Sequence, residues 1–238
     1  MNPELTHIIS HTDLDGVVSA ALAWHFHHLS VPLKISLAGY NIVDNLILES
    51  MEREEKMVVL DLFCQKPRTV DEIDKRFTHE SEPFIFDHHE SNLSRYSNRP
   101  WLYLDTRYCA AMVYFLWLQE HVEGSREKGI LKDMERMVTI ANDRDMWINS
   151  LEESRLWQAL ITLCGPWGIF TRLTADPGAD LRVYELSAAR DFIERQERRF
   201  SQAMEIIGSF KRELAFVGDG VLEFGDVSDF GGLILDGT

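Results

Sequence analysis

Short apolar runs recur along the first 105 residues, and a stretch of helical character separates most of them from the next. The run at residues 84–87 reads Phe-Ile-Phe-Asp, and near-continuous runs of this kind are typical of strands buried in a parallel sheet. Strands that alternate with helices at this spacing predict βαβ units. We therefore expect an α/β protein with a parallel β-sheet flanked by helices. The predicted strands cover residues 5–10, 33–38, 57–62, 84–87 and 101–104.

The second half of the chain is predicted to be mainly helical. Residues 109–121 are apolar almost all round, which predicts a buried helix. Gly165-Pro166 and Pro177-Gly178 then break the pattern, and a long connector helix is expected over residues 180–210. Short strand-like runs with Gly-Asp turns follow. We thus predict a catalytic domain over residues 1–165, a helical linker over 166–210, and a truncated or reduced β-containing domain over 211–238. Other helices are predicted at residues 17–29, 41–52, 69–77, 127–139 and 152–163.

The composition restricts the classes of partner and compartment. The formal net charge of −15 argues against binding of long duplex nucleic acid, which is gripped through many Lys and Arg contacts to phosphates. A small anionic substrate is still compatible if bound cations reverse the local field. The three cysteines form no C-x-x-C pair, which favours a reducing compartment. With no recognisable signal peptide or membrane-spanning run, we expect a soluble, cytoplasmic protein. The oligomeric state is not predicted.

Acidic and histidine side chains follow three of the predicted strands. His11, Asp13 and Asp15 follow the first strand, and residues two apart on an extended chain point the same way. Asp61 ends a second strand, and residues 87–89 (Asp-His-His) end a third. Because ligands bind in the crevice at the carboxyl ends of parallel strands, these side chains are expected to converge. A simpler interpretation of Asp15 is that it only caps the following helix, next to the turn at Gly16.

Two further groups of residues contain potential metal ligands. An Asp-x-Asp pair, Asp143 and Asp145, closes the helix predicted to precede it, although acids are disfavoured near a helix C-terminus. A bound metal would resolve that conflict, and so would a solvated loop in which Arg144 neutralises its neighbours. His25 and His28 share a helix face without a carboxylate at a useful spacing, so a polar helix end is the preferred interpretation.

The converging residues favour a pair of divalent cations. They bring more carboxylates together than a dry crevice can hold ionised, so without counter-charge some would be protonated. Two cations bridged by a carboxylate form the kind of site that activates water and clamps a phosphoryl group. The mixture of imidazole and carboxylate favours Mn²⁺, two ions per site, with Mg²⁺ as an alternative.

These motifs, taken together and in order, resemble the signature of the DHH phosphoesterases over roughly the first 150 residues. That superfamily includes RecJ-like exonucleases, nanoRNase-type oligoribonucleases, cyclic-dinucleotide phosphodiesterases and family II inorganic pyrophosphatases. The resemblance implies a two-metal hydrolase of phosphodiester bonds, acting on short oligonucleotides or small nucleotides. The matching motifs are His11-x-Asp13-x-Asp15-Gly16, Asp61, Asp87-His88-His89 with Ser91-Asn92, and Asp143.

The resemblance also implies a role for each residue. One metal would be held by His11, Asp13 and Asp61, and the second by Asp61, Asp15, His88 and Asp143. Asp143 is preferred to Asp145 because it follows Ile140-Ala141 as the family's acid follows its apolar stretch. His89 would contact the scissile phosphate, and Asp87 would support the histidines. The candidate substrate contacts are His89, Asn92, Arg107 and Arg144.

The chain departs from the family pattern after residue 230. The family's closing domain carries a glycine-rich motif that ends in His, whereas Gly231-Gly232 has no following His. Two alternatives therefore stay open beside the phosphodiesterase. One is an inorganic pyrophosphatase or polyphosphatase, and the other is a metal- or nucleotide-binding module that no longer turns over.

Overall fold

The predicted α/β class is confirmed by a computed structural model, which describes residues 5–77, 82–207, 221–223, 226 and 229–231. Five parallel strands form one sheet in the order β2-β1-β3-β4-β5. β1 is therefore flanked by β2 on one side and by β3 on the other, and the strand order reverses between β1 and β3. The strands are β1 (Thr6–Ser10), β2 (Leu33–Leu37), β3 (Lys56–Leu60), β4 (Ile85–Asp87) and β5 (Leu102–Leu104).

Helices cover both faces of the sheet. Alternate strand residues point to opposite faces, so Ile8 packs in one core and Ile9 in the other. The core around Ile8 is the larger and holds the buried residues of α1, α5, α6 and α7. The core around Ile9 is closed by α2 and α3. The helices are α1 (Leu14–His27), α2 (Val43–Glu52), α3 (Pro67–Arg76), α4 (Glu90–Tyr96), α5 (Ala110–His121), α6 (Ser125–Asp145), α7 (Glu152–Ala175) and α8 (Val183–Ile207).

The predicted boundary at residue 165 coincides with a kink. Gly165 has φ 73° and ψ 160°, a left-handed backbone that favours glycine, and Pro166 follows it. On the far side of the kink, Ile169 and Leu173 pack in the same core as Trp157 on the near side. The core therefore continues beyond residue 165, and the division of the chain into domains stays a prediction.

Several local predictions differ from the structure. The helices predicted to end at residues 139 and 163 continue to Asp145 (α6) and, through the kink, to Ala175 (α7). No helix is predicted between the Asp-His-His motif and the strand at 101–104, but a short helix, α4, begins directly after His89, whose backbone is extended. Helix α1 starts one turn earlier than predicted, because Asp13 and not Asp15 is its N-cap and accepts a hydrogen bond from the amide of Gly16 at 2.9 Å.

The predicted C-terminal domain falls largely outside the described residues. Its expected strands at 214–217 and 233–235 are not among them, and the described part of 221–224 forms a turn. Val221, Leu222 and Phe230 pack against Phe200 and Ala203 of α8. Within the described parts of the chain, no helix is both long and apolar enough to cross a membrane.

Candidate metal centre

The candidate site lies where the sheet order reverses, at the carboxyl ends of β1 and β3. Asp61, the first residue after β3, has φ 55°, a conformation that is uncommon for a residue other than glycine. Its buried carboxylate lies between two histidines, with 3.6 Å from Oδ2 to His11 Nδ1 and 3.4 Å from Oδ1 to His88 Nε2. Asp61 therefore occupies the centre of the site. Unusual backbone of this kind clusters at functional sites.

Three side chains form the first group of potential metal ligands. His11, Asp13 and Asp61 each offer one atom, and these atoms all lie within 4.8 Å of one another. His11 Nδ1 is 2.7 Å from Asp13 Oδ2. Burial opposes a positive charge on His11, but its hydrogen bond to Asp13 and the nearby carboxylate of Asp61 raise the pKa of the imidazole to about 10. The carboxylates around His11 thus favour a positive charge at this position.

A second group is built from Asp15, His88 and Asp145, again with ligand atoms within 4.8 Å of one another. His88 Nε2 lies 3.9 Å from Asp15 Oδ2 and 3.4 Å from Asp145 Oδ2. Asp15 is 1% exposed and accepts hydrogen bonds from the amides of Ala110 and Ala111, at 2.7 and 2.8 Å. The N-terminus of α5 therefore holds this carboxylate in place.

The electrostatics of both groups fit a bound cation. Burial and the neighbouring carboxylates raise the pKa values of Asp15 and Asp61 well above their usual range. Two buried oxygens, Asp61 Oδ2 and Asp145 Oδ2, have no hydrogen-bond partner among the described residues. Buried polar atoms are ordinarily paired. Asp61, His88 and His89 form a third potential set that overlaps both groups. The described residues therefore contain acidic and histidine clusters that could bind a metal ion.

His89 belongs to a chain of hydrogen bonds at the edge of the cluster. Its Nδ1 is 2.7 Å from Oδ1 of Asp87, which is fully buried, and Asn92 Nδ2 donates to Asp87 Oδ2 at 2.8 Å. The hydrogen bond to Asp87 raises the pKa of His89, although burial opposes this shift. On the other side of the ring, Nε2 is 3.1 Å from the hydroxyl oxygen of Tyr40.

The structure places Asp145, and not Asp143, in the cluster. Asp143 accepts hydrogen bonds from the Ser150 amide at 2.9 Å, the Ser150 hydroxyl at 2.5 Å and the Leu151 amide at 3.2 Å. Helix α6 continues to Asp145, and two residues two apart on a helix are separated by about 200° around its axis. The preference for Asp143 as the last ligand is therefore corrected: Asp143 fastens the loop after α6.

The two arginines predicted to contact substrate have other partners. Arg107 is exposed and pairs with Asp105, with 2.6 Å between Nη2 and Oδ2. Arg144 pairs with Asp229 and lies 4.6 Å from the ring centre of Trp147. Their role as substrate contacts stays a prediction.

The histidines at the end of α1 make contacts within the fold, and His25 is buried and not at a polar helix end. Nε2 of His25 lies 2.8 Å from the Leu173 carbonyl oxygen, and His28 stacks on Trp24 with 3.9 Å between the ring centres. Neither belongs to a potential metal group among the described residues.

One member of the site was missed from the sequence. Tyr40 follows β2 in a loop, and its ring centre lies 5.0 Å from that of His11. It stands beside Gly39 and Asn41, outside any motif, so the sequence carries no signal for it. Only the strand order, which places β2 beside β1, brings this loop to the site.

Fold and site together define an α/β protein with a histidine–carboxylate cluster at the switch point of a parallel sheet. No protein-family model matches the chain, and no curated protein does. Among solved structures, the chain is similar to an uncharacterised protein from Helicobacter pylori G27, with a TM-score of 0.59 and 16% sequence identity. The match covers 97% of this chain and 70% of the other. At this level of identity the likeness supports the fold alone.

Proposed function

We propose that the protein is a metal-dependent phosphoesterase that hydrolyses phosphodiester bonds of short oligonucleotides or small nucleotides with two divalent cations. The observation that carries this proposal is the position of Asp61 between the two three-residue groups. Asp61 belongs to the first group, and its other oxygen lies close to His88 of the second. A carboxylate with one oxygen near each histidine is suited to bridge two cations. The resemblance of the motifs to the DHH phosphoesterases supports the same function.

The ligand assignment follows from these contacts. One cation would be held by His11, Asp13 and Asp61, and the other by Asp61, Asp15, His88 and Asp145. We infer Mn²⁺ as the preferred ion, with Mg²⁺ as the alternative, because imidazole ligands suit Mn²⁺ better than Mg²⁺. When bound, such ions supply Lewis acidity, which lowers the pKa of water and neutralises charge on a phosphoryl group.

His89 and Asp87 would act on the substrate side of the cluster. The buried Asp87 accepts a hydrogen bond from His89 Nδ1–H, so the other nitrogen, Nε2, which lies 3.1 Å from the Tyr40 hydroxyl oxygen, could donate to a phosphate oxygen when it is protonated. Asn92 holds Asp87 from the opposite side, which fixes the orientation of the imidazole. His89 would therefore orient and stabilise the phosphate, and Asp87 would position His89.

The charge of the chain favours a small substrate. A net charge of −15 would repel a long polyanion, whereas the local field of two bound cations suffices to attract a short one. The side chain of His89 is 36% exposed and that of Asp13 is 39% exposed, so the crevice is accessible from solvent. We place the activity in the cytoplasm, because the three cysteines are unpaired.

The experiment that tests this function is hydrolysis of a short 5′-labelled RNA oligomer with added Mn²⁺, alongside inorganic pyrophosphate and a chelator control. We expect chelator-sensitive release of mononucleotides by the wild-type protein. Asp61→Asn should abolish it, and Asp133→Asn, a matched change at an exposed position of α6, should not.

Other outcomes would redirect the assignment. Release of phosphate from pyrophosphate alone would favour a pyrophosphatase. If both substrates stayed intact while two Mn²⁺ ions bound per chain, the protein would be a binding module. Full activity of Asp61→Asn would contradict the shared-carboxylate site.

A further inference from the structure

Tyr40 joins the two ends of the candidate site. Tyr40 follows the edge strand β2, and its side chain lies across the carboxyl ends of β1 and β3. Its hydroxyl contacts His89, which follows β4. Its ring lies against the ring of His11, with 5.0 Å between centres and a tilt of 45°. Its hydroxyl oxygen lies 3.1 Å from His89 Nε2. A single side chain outside every motif thus contacts one histidine in the first metal group and the histidine on the substrate side.

The hydrogen-bond pattern determines which atoms face the crevice. Both oxygens of Asp87 are engaged, one by His89 Nδ1 and the other by Asn92 Nδ2. A carboxylate only accepts hydrogen bonds, so His89 carries its proton on Nδ1 and presents Nε2 to Tyr40. The hydroxyl hydrogen of tyrosine can turn about its C–O bond. The hydroxyl can therefore donate to Nε2 in the free protein and to another acceptor when a ligand binds.

Exposure makes this pair available to a ligand. Tyr40 is 37% exposed, and the side chain of His89 is 36% exposed. The hydroxyl of a buried tyrosine usually finds a hydrogen-bond partner. The partner of the Tyr40 hydroxyl is His89, which is itself half-exposed and belongs to the candidate site.

We propose that the Tyr40 hydroxyl donates a hydrogen bond to the phosphate oxygen that His89 contacts. This inference rests on the proposed phosphoesterase function and adds a residue to its substrate site. The hydroxyl oxygen of Tyr40 and Nε2 of His89 are 3.1 Å apart, so one phosphate oxygen can lie about 2.8 Å from both, which is an ordinary hydrogen-bond distance. The contact of the Tyr40 ring with His11 sets where the hydroxyl lies. The ligand recognised is therefore a phosphate monoanion or dianion, bound next to the cations.

The test compares Tyr40→Phe with the wild-type protein, both loaded with Mn²⁺. Phenylalanine keeps the ring against His11 and removes only the hydroxyl. Tyr184→Phe is the matched control, because Tyr184 is an exposed tyrosine on α8 whose hydroxyl pairs with Arg182. The measurements are Mn²⁺ stoichiometry and inorganic phosphate affinity, both by calorimetry, and kcat and KM on the RNA oligomer.

We expect Tyr40→Phe to bind two Mn²⁺ ions, as the wild type does, but to bind phosphate about 10-fold more weakly or worse, since a hydrogen bond to a charged group is lost. Its kcat should fall by about 10- to 100-fold. Unchanged phosphate affinity and kcat would overturn the inference, and so would loss of Mn²⁺, which would make Tyr40 a support for His11.

Phosphate binding separates this inference from the proposed function. A wild-type protein that binds Mn²⁺ and phosphate but hydrolyses no oligomer would contradict the phosphoesterase alone. Tyr40 would still be judged by the phosphate affinity of Tyr40→Phe. A wild-type protein that binds no phosphate with Mn²⁺ present would overturn the role of Tyr40 itself.

Discussion

Asp143 and Asp145 are close in sequence but have different roles, and the matched changes to asparagine separate those roles. Asp145→Asn should reduce Mn²⁺ binding from two ions to one per chain, because it neutralises a ligand of the second group. It should not destabilise the metal-free protein, since it removes a buried charge whose Oδ2 has no hydrogen-bond partner. Isothermal titration with Mn²⁺ and urea unfolding measure the two effects.

Asp143→Asn should show the reverse pattern. Its carboxylate accepts three hydrogen bonds from Ser150 and Leu151, so the variant should lose about 2–4 kcal/mol of unfolding free energy. Its Mn²⁺ stoichiometry should stay at two. If Asp143→Asn lost a metal and Asp145→Asn did not, the ligand assignment from the structure would be wrong.

The choice between these two acids shows what a sequence can determine at single residues. The pattern identifies an acidic pair at the end of a helix, but it does not show how far the helix continues. The helix was predicted to end at residue 139, and α6 runs to Asp145. Those extra residues set the direction of each side chain. The sequence predicts that four of the site's side chains converge, because each directly follows a strand or its turn: His11, Asp13, Asp61 and His88. Tyr40 was missed because it belongs to no motif.

His7 gives a prediction for pH at the opposite end of β1. The buried imidazole has Nδ1 at 2.6 Å from the Ser50 hydroxyl and Nε2 at 2.8 Å from the Ser36 hydroxyl. Burial, assisted by Lys34, lowers its pKa from 6.5 to about 4. At pH values between about 4 and 6.5, His7 binds a proton in the unfolded chain but not in the folded protein. His7 should therefore destabilise the fold progressively as the pH falls below about 6.5.

The measurement is urea unfolding of the wild type and of His7→Gln at about pH 7.5 and about pH 5.0. Glutamine keeps a polar side chain but does not titrate in this range. The stability advantage of the wild type over the variant should shrink by about 2 kcal/mol at the lower pH. An advantage that is the same at both pH values would show that His7 does not titrate on unfolding.

At the scale of elements, the start of α1 has to approach β1 closely for the site to form. A Cβ built on Gly16 would lie 2.5 Å from the carbonyl oxygen and 2.7 Å from the Cα of His11. Gly16→Ala must therefore push the helix away from His11, which we propose as a metal ligand. We expect a loss of about 1–3 kcal/mol in unfolding free energy and weaker Mn²⁺ binding.

Gly129→Ala is the control for this change. Gly129 is exposed within α6, and a Cβ there would meet no atom within 4 Å. This variant should gain about 0.5–1 kcal/mol, since glycine is the poorer helix former. Both stabilities can be measured by thermal or urea unfolding. Equal effects of the two alanines would contradict the close approach at Gly16.

Elements were predictable to different degrees for physical reasons. The central strand β3 carries a strong signal, because a strand buried on both faces is apolar at nearly every position. The short helix α4 carries little signal, since its start depends on the extended backbone of His89. The break at Gly165-Pro166 predicts a boundary, although apolar residues beyond it return to the same core. Local breaks show where the chain bends but not whether the packing continues.

At the scale of the whole molecule, the candidate centre concentrates charge that the fold must tolerate. Asp15, Asp61 and Asp145 are gathered around His88, and the pKa of each is raised above its usual value, with burial as the largest cause. Desolvated like charges destabilise a folded state, and a cation bound only by the folded state removes that cost. The stability of the protein should therefore depend on divalent metal.

A thermal melt with and without Mn²⁺ measures this dependence. At a metal concentration about 100 times Kd, one site contributes about 2.7 kcal/mol. For a chain of this length that shift corresponds to a rise in Tm of roughly 5–10 °C. A chelator should reverse it. Asp61→Asn should lose most of the rise, because Asp61 belongs to the first group and lies close to His88 in the second, whereas Asp133→Asn should keep it. An equal rise in Tm for Asp61→Asn would mean that the stabilising ion binds elsewhere, and the centre described above would not be the metal site.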